Sequence, residues 1–206
     1  MSAAPVVLCP AQSARRVRWR NGAGWTREIL SWPPSGAAGD GADTASAWDW
    51  RLSIADIESD GPFSSFPGIE RECLLLRGEG VRLQIEPAEA HTLSPPSGRL
   101  RFDGGYAASA TLVDGRVEVL NLMWRRDRIQ ASTWHRPLVG TMVVFVDPGS
   151  RWLVHVLAGH AHLGDGDTRT FLAAGDTACL GAADARARHA LEGGGELFLV
   201  RLEPAA

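Results

Sequence analysis

Short apolar runs broken by glycine and proline dominate this chain, and none repeats its apolar residues at sustained helical spacing. The 206 residues include 23 glycines and 12 prolines, most of them between those runs. Glycine supplies backbone conformations that other residues avoid and proline ends helices, so the pattern predicts many short strands joined by turns. Strands are predicted over 27–30, 48–57, 73–76, 81–85, 107–113 and 117–124. More follow over 141–147, 152–157, 170–172, 177–180 and 196–202. Asp114-Gly115, between Thr111–Val113 and Val117–Val119, predicts a hairpin. Gln130 to Val139 reads as an irregular or short helical connector, and Pro33 to Ala47 as a surface loop. Such a series argues for an all-β barrel or sandwich. Leu74–Val81 faintly resembles His155–His162, which points to two similar β-rich halves.

Composition narrows the function classes. Hydrophobic residues make up 45% of the chain, enough for a packed core. The net charge of −3 gives no basic excess for a nucleic-acid partner. All 21 basic residues are arginine, which excludes lysine Schiff-base chemistry. Cys9, Cys73 and Cys179 are far apart, so neither a zinc motif nor a disulfide framework is read, and a reducing cytoplasm fits best. The N-terminal residues lack a basic region and a long apolar run, so no secretion signal is expected. No apolar run approaches a membrane span. A G-x-S-x-G elbow, a catalytic-cysteine context and a glycine-rich phosphate loop are all missing from the sequence. His160-Ala161-His162 places two imidazoles on one strand face, but three or four converging ligands are normally needed, so no metal and no cofactor is expected.

The polar residues that carry chemistry concentrate before residue 126. Asn21-Gly22 is a turn, and Gly24 allows close approach of a backbone or ligand. Alternation then puts Thr26, Glu28 and Leu30 on one strand face. In the next strand Arg51 and Ser53 share a face opposite Trp50, Leu52 and Ile54. Phe63, Ser64 and Phe66 follow in a turn-rich stretch. Arg71 comes after Gly68 and offers a planar fork for carboxylates. Asn121, Met123 and Arg125 share a face opposite Leu120, Leu122 and Trp124. An inward Asn–Met–Arg face suits a pocket floor better than an ordinary core. The alternative is that these polar faces pair with one another, Arg51 with Glu28 among them.

These segments resemble the HutD/Ves family. The matching motifs are Trp19-x-Asn21-Gly22-x-Gly24-x-Thr26-x-Glu28, Trp50-Arg51-x-Ser53-x-Ala55, Gly61-x-Phe63-Ser64-x-Phe66-Pro67-Gly68-x-x-Arg71 and Asn121-x-Met123-x-Arg125. The resemblance implies a bicupin, two small β-barrels in one chain. The first, over 1–130, would carry the motifs. The second, over 131–206, would be degenerate, with strands exchanged between the two. It further implies a link to histidine utilisation, a regulatory rather than firmly enzymatic role, no metal, and a small carboxylate ligand such as N-formylglutamate. The implied ligand-binding residues are Asn21, Thr26, Glu28, Arg51, Ser53, Phe63, Ser64, Phe66, Arg71, Asn121 and Met123. Related sequences carry Asp at the places of Gly105 and Val119, so any role of those carboxylates is in doubt here.

Three functional readings therefore stand side by side. One is a metal-free binding protein that governs flux through a carboxylate or urocanate-like metabolite. Another is an isomerase or hydrolase with Glu28 as acid or base. The third is a structural module whose polar faces are internally paired. A homodimer is also expected, because Trp32 and Trp134 fall near predicted loops and exposed aromatics mark contact surfaces.

Overall fold

The computed structural model describes residues 6–14, 16–19, 23–33, 48–164, 166 and 169–205. Among the described residues it contains sixteen strands and a three-residue 3-10 turn at Ala11–Ser13. In chain order the strands are β1 Val6–Cys9, β2 Arg16–Arg18, β3 Gly24–Trp32, β4 Trp50–Ile57, β5 Gly61–Pro62 and β6 Ile69–Arg77. Then come β7 Val81–Ile85, β8 His91–Leu93, β9 Arg99–Asp103, β10 Ala108–Leu112 and β11 Val117–Arg125. The last are β12 Ile129–Val146, β13 Arg151–Leu163, β14 Thr170–Ala173, β15 Thr177–Leu180 and β16 Ala187–Pro204. All recorded pairings are antiparallel. No helix among the described residues is long and apolar enough to cross a membrane.

The chain divides into two compact units between Arg128 and Ile129. The first fourteen residues belong with the C-terminal unit rather than with the segment that follows them. That assignment has a plain cause, since β1 pairs with β15 from Val6↔Leu180 to Cys9↔Thr177.

In the N-terminal unit one six-stranded sheet runs β2-β3-β4-β11-β6-β9 and a four-stranded sheet runs β5-β10-β7-β8. One core joins Ala55, Ile57, Cys73, Leu75, Val117 and Val119 of the larger sheet to Val81, Leu83, Ile85, Leu93, Ala108 and Ala110 of the smaller. The C-terminal unit is a six-stranded sheet, β1-β15-β13-β16-β12, with β14 paired to β13. Its core is aliphatic: Leu138, Val144, Val146, Val154, Val156, Leu163, Leu172, Leu180, Leu191, Leu197 and Leu199.

Three local expectations are corrected. Asp114-Gly115 does not close a hairpin: β10 pairs with β5 and β7, whereas β11 pairs with β4 and β6, so this turn carries the chain from one sheet to the other. Residues 130–139 are strand rather than connector, since β12 pairs with β16 over its whole length. Pro137 is accommodated because β12 is an edge strand among the described residues, where a missing N–H is tolerated. Trp134 lies within β12, stacked on Trp152 at 5.4 Å, and not in a loop. Of the expected loop at 33–47, all but Pro33 lies outside the described residues.

Candidate functional site

Strand register assembles the polar residues of the N-terminal unit on one face. In one row across the larger sheet, Glu28 lies opposite Ser53, Ser53 opposite Asn121, and Asn121 opposite Cys73. In the next row Ser31 pairs with Arg51, Arg51 with Met123, Met123 with Arg71, and Arg71 with Phe102. Thr26 pairs with Ala55 one row the other way, where the face turns apolar at Val119 and Leu75. Paired residues in a ladder point to the same side. The same sheet surface thus begins as aliphatic core and ends as a polar floor.

A bulge explains one departure from simple alternation. Pairing shifts between Glu28 and Leu30, so Ile29 is the extra residue. Beyond it Leu30 joins Leu52 on the opposite face, and Ser31 takes the inward position that alternation gives to Leu30. Ser31 is buried and donates from Oγ to Glu28 Oε1 at 3.0 Å. Gly24 has a structural duty, because a Cβ there would stand 2.2 Å from the Asp56 carbonyl oxygen. Its neighbour across the turn, Trp19, donates from Nε1 to Thr26 Oγ1 at 2.7 Å.

Arg71 is the most enclosed charge on the face, 6% exposed. Its guanidinium carbon lies 5.1 Å from the Phe63 ring centre, 5.2 Å from that of Phe102 and 5.8 Å from that of Phe66. Aromatic faces attract a cation, and more so where water is scarce. Its Nη2 donates to Asn121 Oδ1 at 3.4 Å, and Cys73 Sγ approaches the same oxygen at 3.6 Å. Burial raises the Cys73 thiol above its ordinary pKa, an effect that nearby Arg71 partly offsets, so Cys73 is a neutral neighbour rather than a nucleophile. Arg51 is half-buried, 5.2 Å from the Trp48 ring, with Nη2 donating to Met123 Sδ at 3.4 Å.

The segment between β5 and β6 is held where its two phenylalanines reach Arg71. Phe63 N donates to Ala108 O, Phe66 N to Gly104 O, and Ser65 Oγ to Gly105 O. Gly104 leaves room for the arginine stem: a Cβ there would meet Ile69 O at 2.9 Å and Arg71 Cδ at 3.0 Å.

The structure thus brings together Thr26, Glu28, Arg51, Ser53, Phe63, Phe66, Arg71, Asn121 and Met123. Ser64 lies on the same segment as the phenylalanines but is exposed. Asn21 lies outside the described residues. Ser31, Trp48 and Phe102 belong to the cluster and were not singled out from the sequence. Ser31 was hidden by the bulge, and Phe102 by needing β9 beside β6. Of the two positions where the family resemblance leads one to expect Asp, Val119 is in the apolar core, and Gly105 donates its N–H to Asp103 Oδ1 at 2.8 Å. That bond is the leading reason the Asp103 carboxyl titrates below its ordinary value.

The two imidazoles of His160 and His162 stand 5.8 Å apart on β13, packed against the half-exposed Phe171. Among the described residues no group of three or more His, Cys, Asp or Glu side chains is arranged to hold a metal ion.

An antiparallel all-β fold with this polar sheet face is a cupin-like architecture, and its solved neighbours share it. The family model for HutD matches residues 11–199, and the chain belongs to that family. HutD from Pseudomonas fluorescens SBW25, solved in a formate condition, superposes with a TM-score of 0.79 at 26% identity, covering 98% of this chain and 100% of that one. Protein Ves of Citrobacter koseri is 40% identical over 71% of this chain and 70% of its own. An uncharacterised 21.2 kDa protein in the hutC 3′ region of Pseudomonas putida is 36% identical over 60% of each chain.

Proposed function

We propose that this protein is a metal-free bicupin that binds a small carboxylate metabolite on the polar face of its N-terminal unit and thereby governs histidine utilisation. The observation that carries the reading is Arg71, a cation enclosed by three phenylalanine rings, bonded to Asn121 and two strands from Arg51 on the same face. A guanidinium in surroundings poor in water binds a carboxylate strongly and selectively, because the pair gains charge-assisted hydrogen bonds that water would otherwise dilute. Ser53, Thr26 and Asn121 add neutral donors and acceptors that orient a ligand without adding charge. The tie to histidine utilisation is supported by family membership and by the location of the Pseudomonas putida relative beside hutC.

Titration calorimetry with N-formylglutamate, urocanate and glutamate tests this. At least one binds with a dissociation constant between about 1 μM and 1 mM. Arg71→Ala weakens it by about tenfold or more, the loss of one charge-assisted bond. Heat from none of the three, or binding indifferent to Arg71→Ala in a variant that unfolds normally, rules the reading out.

A further inference from the structure

The aliphatic core of the C-terminal unit stops short of the end of β16, and a different set of side chains takes over there. In the N-terminal unit β11 runs between β4 and β6, with β9 beyond β6. In the C-terminal unit β16 runs between β12 and β13, with β15 beyond β13. The row Arg51, Met123, Arg71 and Phe102 crosses the first of these sheets close to the end of β11. The row close to the end of β16 is Ser132, Arg201, Trp152 and Leu180. Leu180 belongs to the aliphatic core and Trp152 packs against that core, so this row also faces inward. Trp134 lies one row deeper, opposite Leu199. It reaches over β16 from one side and Trp152 from the other, and the two half-buried indoles stack at 5.4 Å with their planes 16° apart. Neither indole N–H has a partner among the described residues. Arg201 stands beside Trp152 in the ladder and diagonal to Trp134. Its Nη2 donates to Glu203 Oε1, and both side chains are about a third exposed. Among the described residues Arg201 Nε and Nη1 and Glu203 Oε2 have no partner. A bridge this exposed adds little stability and is easily shared with a ligand.

We infer that this end of the C-terminal unit is a binding site of its own, and that it takes a free α-amino acid with a flat ring in its side chain. A cation and an anion held side by side match a zwitterion, whose carboxylate and ammonium groups are separated by a single carbon. Arg201 donates to the carboxylate through Nε and Nη1, the charge-assisted fork that guanidinium groups offer. Glu203 Oε2 accepts from the ammonium group, because an ionised carboxylate only accepts. The ring lies against the indole pair, which supplies a large flat surface with an apolar body. Ser132, in the same row, adds a hydroxyl that both donates and accepts. Nothing in this inference rests on Arg71 or on carboxylate binding by the N-terminal unit.

Titration calorimetry on the full chain at pH 7.5 tests this with L-phenylalanine, L-histidine, L-alanine and phenylpropionate. At least one of the two ring-bearing amino acids is expected to bind with a dissociation constant between about 10 μM and 10 mM. Alanine lacks the ring and phenylpropionate lacks the ammonium group, and each should bind at least about tenfold more weakly. Arg201→Gln and Glu203→Gln should each weaken the ring-bearing amino acid by about tenfold, the scale of one charge-assisted bond. Both side chains are partly exposed, so both variants should melt as wild type does. Arg71→Leu should leave this binding unchanged. The inference fails if neither ring-bearing amino acid binds, if alanine or phenylpropionate binds as tightly, or if Arg201→Gln and Glu203→Gln leave the affinity where it was. Binding that survives both of those variants but is lost in Arg71→Leu belongs to the N-terminal unit and overturns the inference as well. None of these failures touches the reading of the N-terminal unit, which is tested by its own ligands.

Discussion

In the C-terminal unit, Val154, Val156, Leu191, Leu197 and Leu199 meet Leu163, Leu172 and Leu180 in an aliphatic core. In the N-terminal unit a comparable strand face carries Glu28, Ser31, Arg51, Ser53, Arg71 and Asn121 beyond its aliphatic end. Each buried leucine or valine stabilises its fold by about 1.5–3 kcal/mol, whereas a buried polar group contributes only if it is bonded. The N-terminal unit therefore gives up stabilisation along part of one sheet and keeps the remainder as chemistry. On that core face of the C-terminal unit a polar side chain does intrude. His189 pairs with Val144 across the ladder, and it is a single imidazole with Nε2 bonded to the Gly181 carbonyl at 2.9 Å. What separates a core from a site here is the inward side chains, not the scaffold.

The contrast breaks most readily in the C-terminal unit. Leu197→Asp puts an unpaired charge into a position that is 0% exposed and is expected to destabilise by about 4 kcal/mol or more, read by urea unfolding. The same experiment on Arg71→Leu is expected to show little loss or a gain, because phenylalanines already surround that side chain, while carboxylate binding disappears. Equal destabilisation by the two would erase the distinction drawn between the units.

A second large effect is pH-dependent. His155 is buried in β13, bonded through Nδ1 to Thr177 Oγ1 at 2.8 Å, and burial depresses its pKa from 6.5 to about 4. The unfolded chain takes up this proton as pH falls below 6.5, and the folded chain does not until about 4. Stability is therefore complete above the higher value and declines through the window at about 1.4 kcal/mol per pH unit. Melting temperatures between pH 7 and pH 4.5 should fall in wild type and fall less in His155→Gln. Parallel pH profiles would assign the loss to other groups.

Much of this was legible in the sequence because β-strands alternate faces. Arg51 with Ser53, and Asn121 with Met123, could be put on common faces from spacing alone, and the ladder between β4 and β11 joins those faces. Alternation fails where the backbone adds a residue. Nothing in Glu28-Ile29-Leu30-Ser31 announces the bulge, since no glycine or proline marks it, and so Ser31 stayed hidden. Long-range neighbours were equally out of reach. Asp114-Gly115 has the composition of a hairpin turn, but the partners of β10 and β11 are chosen by sheet packing, which local residues do not encode. Edge position, which lets β12 hold Pro137, is likewise a property of the sheet and not of the residue.

Smaller effects sharpen the comparison within the polar face itself. Gly104→Ala brings a methyl group within 3.0 Å of Arg71 Cδ and 2.9 Å of Ile69 O. The arginine must yield, so affinity should drop by about tenfold, with about 1–2 kcal/mol of stability lost to overpacking. Ser31→Ala is gentler. It removes one hydrogen bond to Glu28 and leaves the charges intact, so about 0.5–1.5 kcal/mol of stability is expected to go. Affinity for a carboxylate should hold, because the Phe63 and Phe102 rings around Arg71 are untouched. If Ser31→Ala instead abolishes binding at unchanged stability, Ser31 itself touches the ligand, and the floor extends one residue past the bulge toward Trp32.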